Sequence, residues 1–81
     1  MRYMATVFVE LRDLDVRRIA EVDRELESLM AREGFIKRGA SFSGPTNREK
    51  LELQKHLNEA VLPQLQMAGS AYADIQQHHK A

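Results

Sequence analysis

Cysteine is absent from this 81-residue sequence. Without it, the chain forms no disulfide and offers no thiolate ligand to a metal ion. A single hydrophobic core of this size supplies only about 3–5 kcal/mol of stability, and small domains commonly add a disulfide, a metal or self-association. Because the disulfide is excluded, we expect self-association, and a homodimer is the default expectation.

The sequence also has no net charge, because 12 lysine and arginine side chains balance 12 aspartate and glutamate side chains. No net field attracts such a chain to nucleic acid or to a membrane surface, so any nucleic-acid contact requires a local basic patch. The N-terminal segment MRYMATVFVELRD has no apolar run long enough for a signal peptide or a membrane span. We therefore expect a cytoplasmic protein without membrane contacts.

The motifs of the common enzyme classes are missing as well. The sequence has no Walker loop, no Rossmann fingerprint and no Ser/His/Asp order, which argues against classical nucleotidyl, dehydrogenase and hydrolase chemistry. His56 is predicted to be a boundary residue of a helix, with general acid–base chemistry as the alternative. His78 and His79 fall in a polar tail where no third metal ligand is placed nearby.

Two segments show clear periodicity. Residues 4–12 alternate as in a strand, with Ala5, Val7, Val9 and Leu11 on one face and Met4, Thr6, Phe8 and Glu10 on the other. From Asp15 the spacing changes to that of a helix, and the predicted apolar stripe consists of Val16, Ile19, Val22, Leu26, Leu29 and Met30. Asp13 or Asp15 is expected to cap this helix, and Gly34 to end it in a left-handed conformation.

The stretch FIKRGASFSGPTNREK, residues 35–50, combines four cations with two glycines and a proline, so it has two interpretations. In the preferred one, residues 35–43 are extended and bent near Gly39, and Gly44 with Pro45 forms a turn. Thr46 and Glu49 then form a capping box at the start of a second helix. In the alternative the stretch cradles an anion, although Glu49 would place a negative charge where that anion lies.

The rest of the chain completes a fold prediction. The second helix is expected to bury Leu53, Leu57, Ala60, Val61 and Leu65, and Pro63 is expected to end or kink it. Residues 70–76 alternate again as a last strand. The prediction is an α+β, ferredoxin-like βαββαβ sandwich with two helices on one face of a small antiparallel sheet. It spans residues 1–77 as a single domain, followed by a flexible tail at 78–81, and the sheet has three or four strands.

The run R-E-G-F at 32–35, followed by I-K-R-G-A-S-F-S-G before a capped helix, resembles a known superfamily. Its members include the small ferredoxin-like CRISPR adaptation subunit, the virulence-associated protein D ribonucleases and the GhoS antitoxin. The residues that approximate the shared pattern are Gly34, Phe35, Ser41, Phe42 and Gly44. The resemblance implies a homodimer that cleaves or holds nucleic acid, since several members are nucleases and others are DNA-holding scaffolds.

The resemblance also indicates where a catalytic acid would lie. In the CRISPR subunit an Asp at the end of the first strand, usually after Tyr, faces its twin across the dimer and is implicated in metal binding. This sequence has V-F-V-E-L-R-D there, without the Tyr-Asp pair, so Glu10 and Asp13 are the candidate catalytic acids. Glu10, Asp13 and Asp15 can supply oxygen ligands to a Mg²⁺ ion shared across the twofold axis, and Asp13 is the candidate metal ligand. The simpler interpretation is that the aspartates cap the helix and that Glu10 is a solvated strand residue.

Two further groups of residues are candidates for binding. The predicted nucleic-acid-binding cations are Lys37, Arg38, Arg12 and Arg48, and isolated surface cations are the simpler alternative. The predicted dimer interface consists of Met4, Phe8, Phe42 and Tyr72, which are preferred as subunit contacts over a base-stacking platform.

Two functions therefore remain open from the sequence. The first is a small homodimeric protein that acts on RNA or DNA, such as a metal-dependent endoribonuclease or a toxin–antitoxin or CRISPR-type component. The alternative is a non-catalytic protein–protein interaction module, such as an inhibitor or adaptor encoded by a phage or mobile element. Salt separates the two, because phosphate contacts weaken steeply with ionic strength and apolar contacts do not.

Overall fold

A computed structural model describes residues 2–66 and 69–79. The chain forms four strands and two α-helices in the order strand, helix, strand, strand, helix, strand. The strands are β1 (Tyr3–Arg12), β2 (Ile36–Arg38), β3 (Ser41–Thr46) and β4 (Ser70–His79), and the helices are α1 (Ile19–Arg32) and α2 (Lys50–His56). The predicted α+β class is confirmed.

The strands make one antiparallel sheet in the order β2-β3-β1-β4. Strand β1 lies inside the sheet, with Val7 paired to Phe42 of β3 on one side and to Ile75 of β4 on the other. Strands β2 and β3 form a hairpin in which Arg38 pairs with Ser41. The predicted bend near Gly39 is therefore a two-residue turn between separate strands, which makes four strands rather than three.

One face of the sheet and both helices enclose the hydrophobic core. Ala5 and Val7 are fully buried there, and Val9 and Leu11 pack against the same cluster, as their alternation predicts. Because side chains from both helices belong to this single cluster, both helices cover the same face of the sheet. The members from α1 are Leu26, Leu29 and Met30, and the member from α2 is Leu53.

Helix α1 begins later than its apolar pattern predicts. Val16 is 76% exposed and Ile19 is 44% exposed, so the assignment of these two residues to the buried stripe is wrong. Val16–Arg18 forms a 3₁₀ turn instead, and the carboxylate of Asp15 caps it by accepting a hydrogen bond from the Arg17 backbone N–H at 3.0 Å. The Asp15 side chain also binds the Arg17 guanidinium at 3.1 and 3.2 Å, and the Arg17 side chain projects toward solvent.

These contacts lower the pKa of the Asp15 carboxyl below its usual value of 3.8, chiefly through the Arg17 side chain and then through the Arg17 backbone. A carboxylate with a lowered pKa in the folded state stabilises the fold at pH values above its unfolded pKa. That contribution is lost as the pH falls through the lowered folded value. The Asp15 cap is therefore an acid-sensitive contact of this turn.

Helix α1 ends as predicted. Gly34 has a φ of +90°, which is unfavourable for a residue with a side chain. The Phe35 N–H donates to the Met30 carbonyl at 2.9 Å, and the Gly34 N–H donates to the Ala31 carbonyl at 3.0 Å. This is a Schellman motif, and it turns the Phe35 ring into the core beside Met30.

The predicted capping box is wrong, and so is the turn at Gly44 and Pro45. Both residues lie within β3, which pairs with β1 as far as Tyr3 opposite Thr46. Strand β2 begins at Ile36, opposite Ser43, so Pro45 has no neighbour on that side and its missing N–H leaves no hydrogen bond unmade. Glu49 caps α2 instead, because its side chain accepts from the Leu51 N–H at 3.0 Å.

The second helix is irregular at its C-terminal end. After His56 the backbone widens into a π-helical turn, Leu57–Val61, and then tightens into a 3₁₀ turn, Leu62–Gln64, that contains Pro63. Pro63, which is predicted to end or kink the second helix, lies in the last turn before Leu65 returns to an extended conformation. The burial predicted for Ala60 is wrong because Ala60 is exposed.

The π-helical turn also connects α2 to the sheet through Asn58. Its side-chain oxygen accepts from the Ala73 N–H at 2.8 Å, and its amide donates to the Ala73 carbonyl at 3.4 Å. A side-chain amide thus takes the place of a neighbouring strand at the edge of β4. This protects the free edge of the sheet against pairing with another chain at that position.

The end of the chain differs from the predicted tail. Strand β4 continues to His79, which pairs with Tyr3, so residues 78 and 79 belong to the sheet. The remaining tail residues, 80 and 81, lie outside the described residues. No helix within the described ranges is long and apolar enough to cross a membrane.

Candidate functional site

The face of the sheet opposite the helices, here called the outer face, carries four large hydrophobic side chains that are between 37% and 66% exposed. They are Met4, Phe8, Ile36 and Tyr72. The register places them together, because Ile36 pairs with Ser43, Ser43 pairs with Thr6, and Tyr72 pairs with Glu10. Exposed apolar groups concentrated on one face indicate a contact surface.

Phe42 does not belong to the outer face, so its predicted place in the dimer interface is wrong. The ring is only 6% exposed and lies in the core. Paired residues in an antiparallel sheet share a face, and Phe42 pairs with the fully buried Val7. Phe42 therefore stabilises the subunit instead of contacting a partner.

Tyr72 reaches the edge of the sheet. Its hydroxyl accepts a hydrogen bond from the Gln54 side-chain amide of α2 at 2.5 Å. The ring remains exposed, and its position opposite Glu10 keeps it on the outer face. Of the predicted interface residues, Met4, Phe8 and Tyr72 share this face.

The predicted cations are not brought together into one patch. Lys37 pairs with Phe42 and so lies on the helix side of the sheet, whereas Arg38 pairs with Ser41 and lies on the outer face. Arg12 shares the outer face but forms an ion pair with Glu10 at 3.2 Å. Arg48 lies outside the sheet, between β3 and α2.

The predicted catalytic acids differ in their surroundings. Glu10 projects from the outer face, and its carboxylate is paired with the Arg12 guanidinium. Asp13 follows the end of β1 with a φ of 58°, in the left-handed region. Within the described residues of one chain, no cluster of three or more His, Asp or Glu side chains is arranged to hold an ion.

A polar cleft lies elsewhere, at the end of the sheet where β1 begins and β3 ends. Its volume is about 480 Å³. Charged and polar side chains from four separate segments line it: Arg2, Glu33, Thr46, Asn47, Arg48 and Glu52, with Pro45 beside them. Of these residues, only Arg48 was selected as a binding residue from the sequence.

His56 and Glu33 form a contact beside this cleft. The Nε2 atom of His56 lies 2.7 Å from a carboxylate oxygen of Glu33, and each side chain is 26% exposed. His56 is thus half-buried at the helix boundary, as its position beside Leu53 and Leu57 predicts. Its partner could not be inferred from the sequence, because Glu33 is 23 residues away, directly after the end of α1.

Comparison of the chain with protein-family models, with curated proteins and with solved structures found no significant match. The resemblance to the CRISPR subunit, the protein D ribonucleases and the GhoS antitoxin therefore stays a prediction. The outer face and the cleft are the two features of the described residues from which a function can be inferred.

Proposed function

We propose that the chain is a ferredoxin-like, homodimeric interaction module that acts through its outer face without chemistry of its own. The strand order β2-β3-β1-β4, with one helix after β1 and another after β3, supports the ferredoxin-like arrangement. The concentration of Met4, Phe8, Ile36 and Tyr72 on one face is the observation that carries the functional proposal. A second copy of the chain is the proposed occupant of that face, in the cytoplasm.

The charges of the outer face suit a copy of itself. Its described side chains include two cations, Arg12 and Arg38, and two anions, Glu10 and Asp74. A surface with no net charge neither repels its twin nor attracts a polyanion. This balance supports protein contact over nucleic-acid contact.

The shape of the outer face also supports packing against a second copy. A groove of about 410 Å³ runs over the small residues of β3, with Met4 and Ile36 among its walls. The ring of Phe8 projects from the same face and is 40% exposed. In an isologous dimer, the Phe8 ring of each subunit fills the groove of the other, which buries apolar surface on both sides.

Replacement of Ile36 with threonine tests this dimer. Threonine keeps the branched shape at Cβ but puts a hydroxyl in the proposed interface, so we expect the dimer dissociation constant to rise about tenfold or more. Sedimentation velocity over a range of protein concentrations measures the dimer dissociation constant. Val16→Thr is the matched control, because Val16 is exposed and lies outside the sheet, and it should leave the constant unchanged.

Either of two results would contradict the dimer: a wild-type chain that stays monomeric at high concentration, or equal effects of Ile36→Thr and Val16→Thr. Salt adds an independent check. The dissociation constant should change little between low and high salt, since the proposed contacts are apolar.

The second candidate function is action on nucleic acid, as an endoribonuclease or a toxin–antitoxin or CRISPR-type component. The observation that favours it is that the outer face combines the aromatic rings of Phe8 and Tyr72 with the guanidinium groups of Arg12 and Arg38. Bases stack on such rings, and arginines neutralise the adjoining phosphates. Glu10 and Asp13 would supply the acids for a Mg²⁺-dependent reaction.

Incubation of labelled single-stranded RNA with the protein, with Mg²⁺ or with EDTA, decides between the candidates. If the interaction module is correct, the RNA remains intact and its binding is too weak to compete with dimerisation. Magnesium-dependent cleavage that is lost in Asp13→Ala or Glu10→Ala would instead establish the enzyme. Asp74→Ala, which removes an exposed outer-face acid on β4, is the control variant.

A further inference from the structure

We propose that the cleft at the end of the sheet, between Arg2 and Arg48, binds a small phosphate monoester. This site is not part of the proposed dimer contact, because none of the four exposed hydrophobic residues of the outer face lines the cleft. The cleft is formed by the ends of β3 and α1 and by the start of α2. Its volume of about 480 Å³ falls within the range of small-molecule sites, about 300–1,000 Å³. That volume accommodates a ligand of mononucleotide size.

Arg48 is held in place by side chains from two strands. Its N–H donates to the Thr46 hydroxyl oxygen at 3.1 Å, and its carbonyl accepts from the Gln77 side-chain amide of β4 at 2.6 Å. The backbone that carries the guanidinium is thus fixed before a ligand arrives. Binding then orders little more than the side chain, which lowers its entropic cost.

The two acidic residues of the cleft are both paired within the protein. A carboxylate oxygen of Glu33 lies 2.7 Å from Nε2 of His56, so Glu33 already has a partner within the protein. The Glu52 carboxylate is 3.9 Å from the Arg48 guanidinium, which is long for a direct hydrogen bond. A phosphate oxygen competes well with so loose an exposed pair.

Arg2 completes the site from the residue that precedes β1. It forms no ion pair with any other residue that the structure describes. Two guanidinium groups in one cleft favour a phosphate over a single carboxylate, because each planar group can donate two parallel hydrogen bonds to phosphate oxygens.

Neutral donors are available next to these charges. The Thr46 oxygen accepts from the Arg48 N–H, so its own hydroxyl proton remains free to donate to a ligand. Asn47 is exposed in the same cleft, and its side-chain amide carries two further donors. The cleft therefore offers the mixture of charged and neutral donors that recognises a phosphate ester.

Titration of the isotope-labelled full-length protein with inorganic phosphate tests the site. At constant ionic strength, we expect saturable chemical-shift changes in the amides of residues 46–48, and none when chloride replaces phosphate. Adenosine 5′-monophosphate and ribose 5-phosphate serve as the two ester probes, and adenosine without phosphate as the control. Tighter binding of both esters than of adenosine assigns the recognition to the phosphate, and a difference between them shows whether the base contributes.

Arg48→Gln should weaken phosphate binding about tenfold, as expected for the loss of one charge-assisted contact. Arg18→Gln is its matched control, because Arg18 is 39% exposed against 42% for Arg48, and it too pairs with a glutamate on a helix. Glu52→Gln should strengthen binding severalfold by removing the competing carboxylate, whereas Glu21→Gln should have no effect. An improvement of this kind cannot result from damage to the fold.

Gln77→Ala tests the positioning of Arg48 without removing any charge. We expect weaker phosphate binding than in wild type, and an unchanged affinity in Gln76→Ala, whose side chain lies on the outer face. Shift changes that are spread over the surface, or that are equal in Arg48→Gln and Arg18→Gln, would overturn the phosphate site. Dimerisation is measured separately with Ile36→Thr, so failure of the cleft and failure of the interaction module are distinguishable.

Discussion

Replacement of Gly44 with alanine is expected to remove most of the stability of the fold. A Cβ atom at this position would lie 2.0 Å from the Gly34 carbonyl oxygen and 3.0 Å from its carbonyl carbon. Both are backbone atoms of the Schellman motif, so neither can rotate away. Overpacking of a rigid core costs about 1–3 kcal/mol and more where backbone must move, and we expect at least about 3 kcal/mol here.

Chemical and thermal unfolding, followed by circular dichroism, measure this loss. A domain of this size loses about 4–8 °C of melting temperature per kcal/mol, so the midpoint should fall by more than about 10 °C. Gly39→Ala is the matched control, since it makes the same change nearby but has nothing within 4 Å of the new methyl group. The cost expected for Gly39→Ala is about 1–2 kcal/mol, because a residue with a side chain is unfavourable at its φ of +61°. Equal losses in the two variants would contradict the close approach at Gly44.

Replacement of Phe42 with alanine is expected to cost about 3–5 kcal/mol of unfolding free energy. The ring is almost fully buried among residues of β1 and both helices, so its removal leaves a cavity that the surrounding side chains fill only in part. Urea denaturation at one fixed protein concentration gives this value. The effect belongs to the subunit itself, because Phe42 does not reach the outer face.

Phe8→Ala is the natural comparison, because Phe8 has the same side chain but projects from the outer face. At a protein concentration below the dimer dissociation constant, this variant should lose less than about 1 kcal/mol of unfolding free energy. It should weaken dimerisation instead, since the ring that fills the partner's groove is gone. A Phe42→Ala variant that folds with wild-type stability but fails to dimerise would reverse the two assignments.

The spacing of hydrophobic residues was sufficient to predict the strands and helices in which one pattern repeats over many residues. The alternation around Val7 placed β1 correctly, and the spacing of Val22, Leu26 and Leu29 identified the buried side of α1. Gly34 marked the end of that helix, because its left-handed conformation is a local property of the backbone. In each case the decisive signal lies within a few neighbouring residues.

Prediction failed where a distant strand competed with a local motif. Thr46 and Glu49 have the spacing of a capping box, yet β1 offers Thr46 a pairing partner in Tyr3. Strand pairing keeps the chain extended for longer, so the helix begins later and Glu49 becomes its cap. The tertiary pairing therefore outweighed the local hydrogen bonds of the box.

The error at Phe42 has a related cause. If residues 36–42 formed one continuous strand, Phe42 would share a face with Ile36 and Arg38. The two-residue turn at Gly39 and Ala40 instead pairs Arg38 with Ser41, and the alternation along β3 places the next residue, Phe42, on the core face. A single turn thus moved an aromatic ring from the proposed interface to the core.

The sequence by itself determined the α+β class, the strand alternation of β1 and β4, the amphipathic helices and the neutral charge balance, because these depend on residues close together in the chain. Only the tertiary structure decided which side chains meet in space. The cleft brings together Arg2, Glu33, Arg48 and Glu52 from four segments of the chain. Glu33, which follows α1, contacts His56 at the end of α2. Such groups come together through strand pairing and helix packing, which bring distant residues into contact without leaving any local pattern in the sequence.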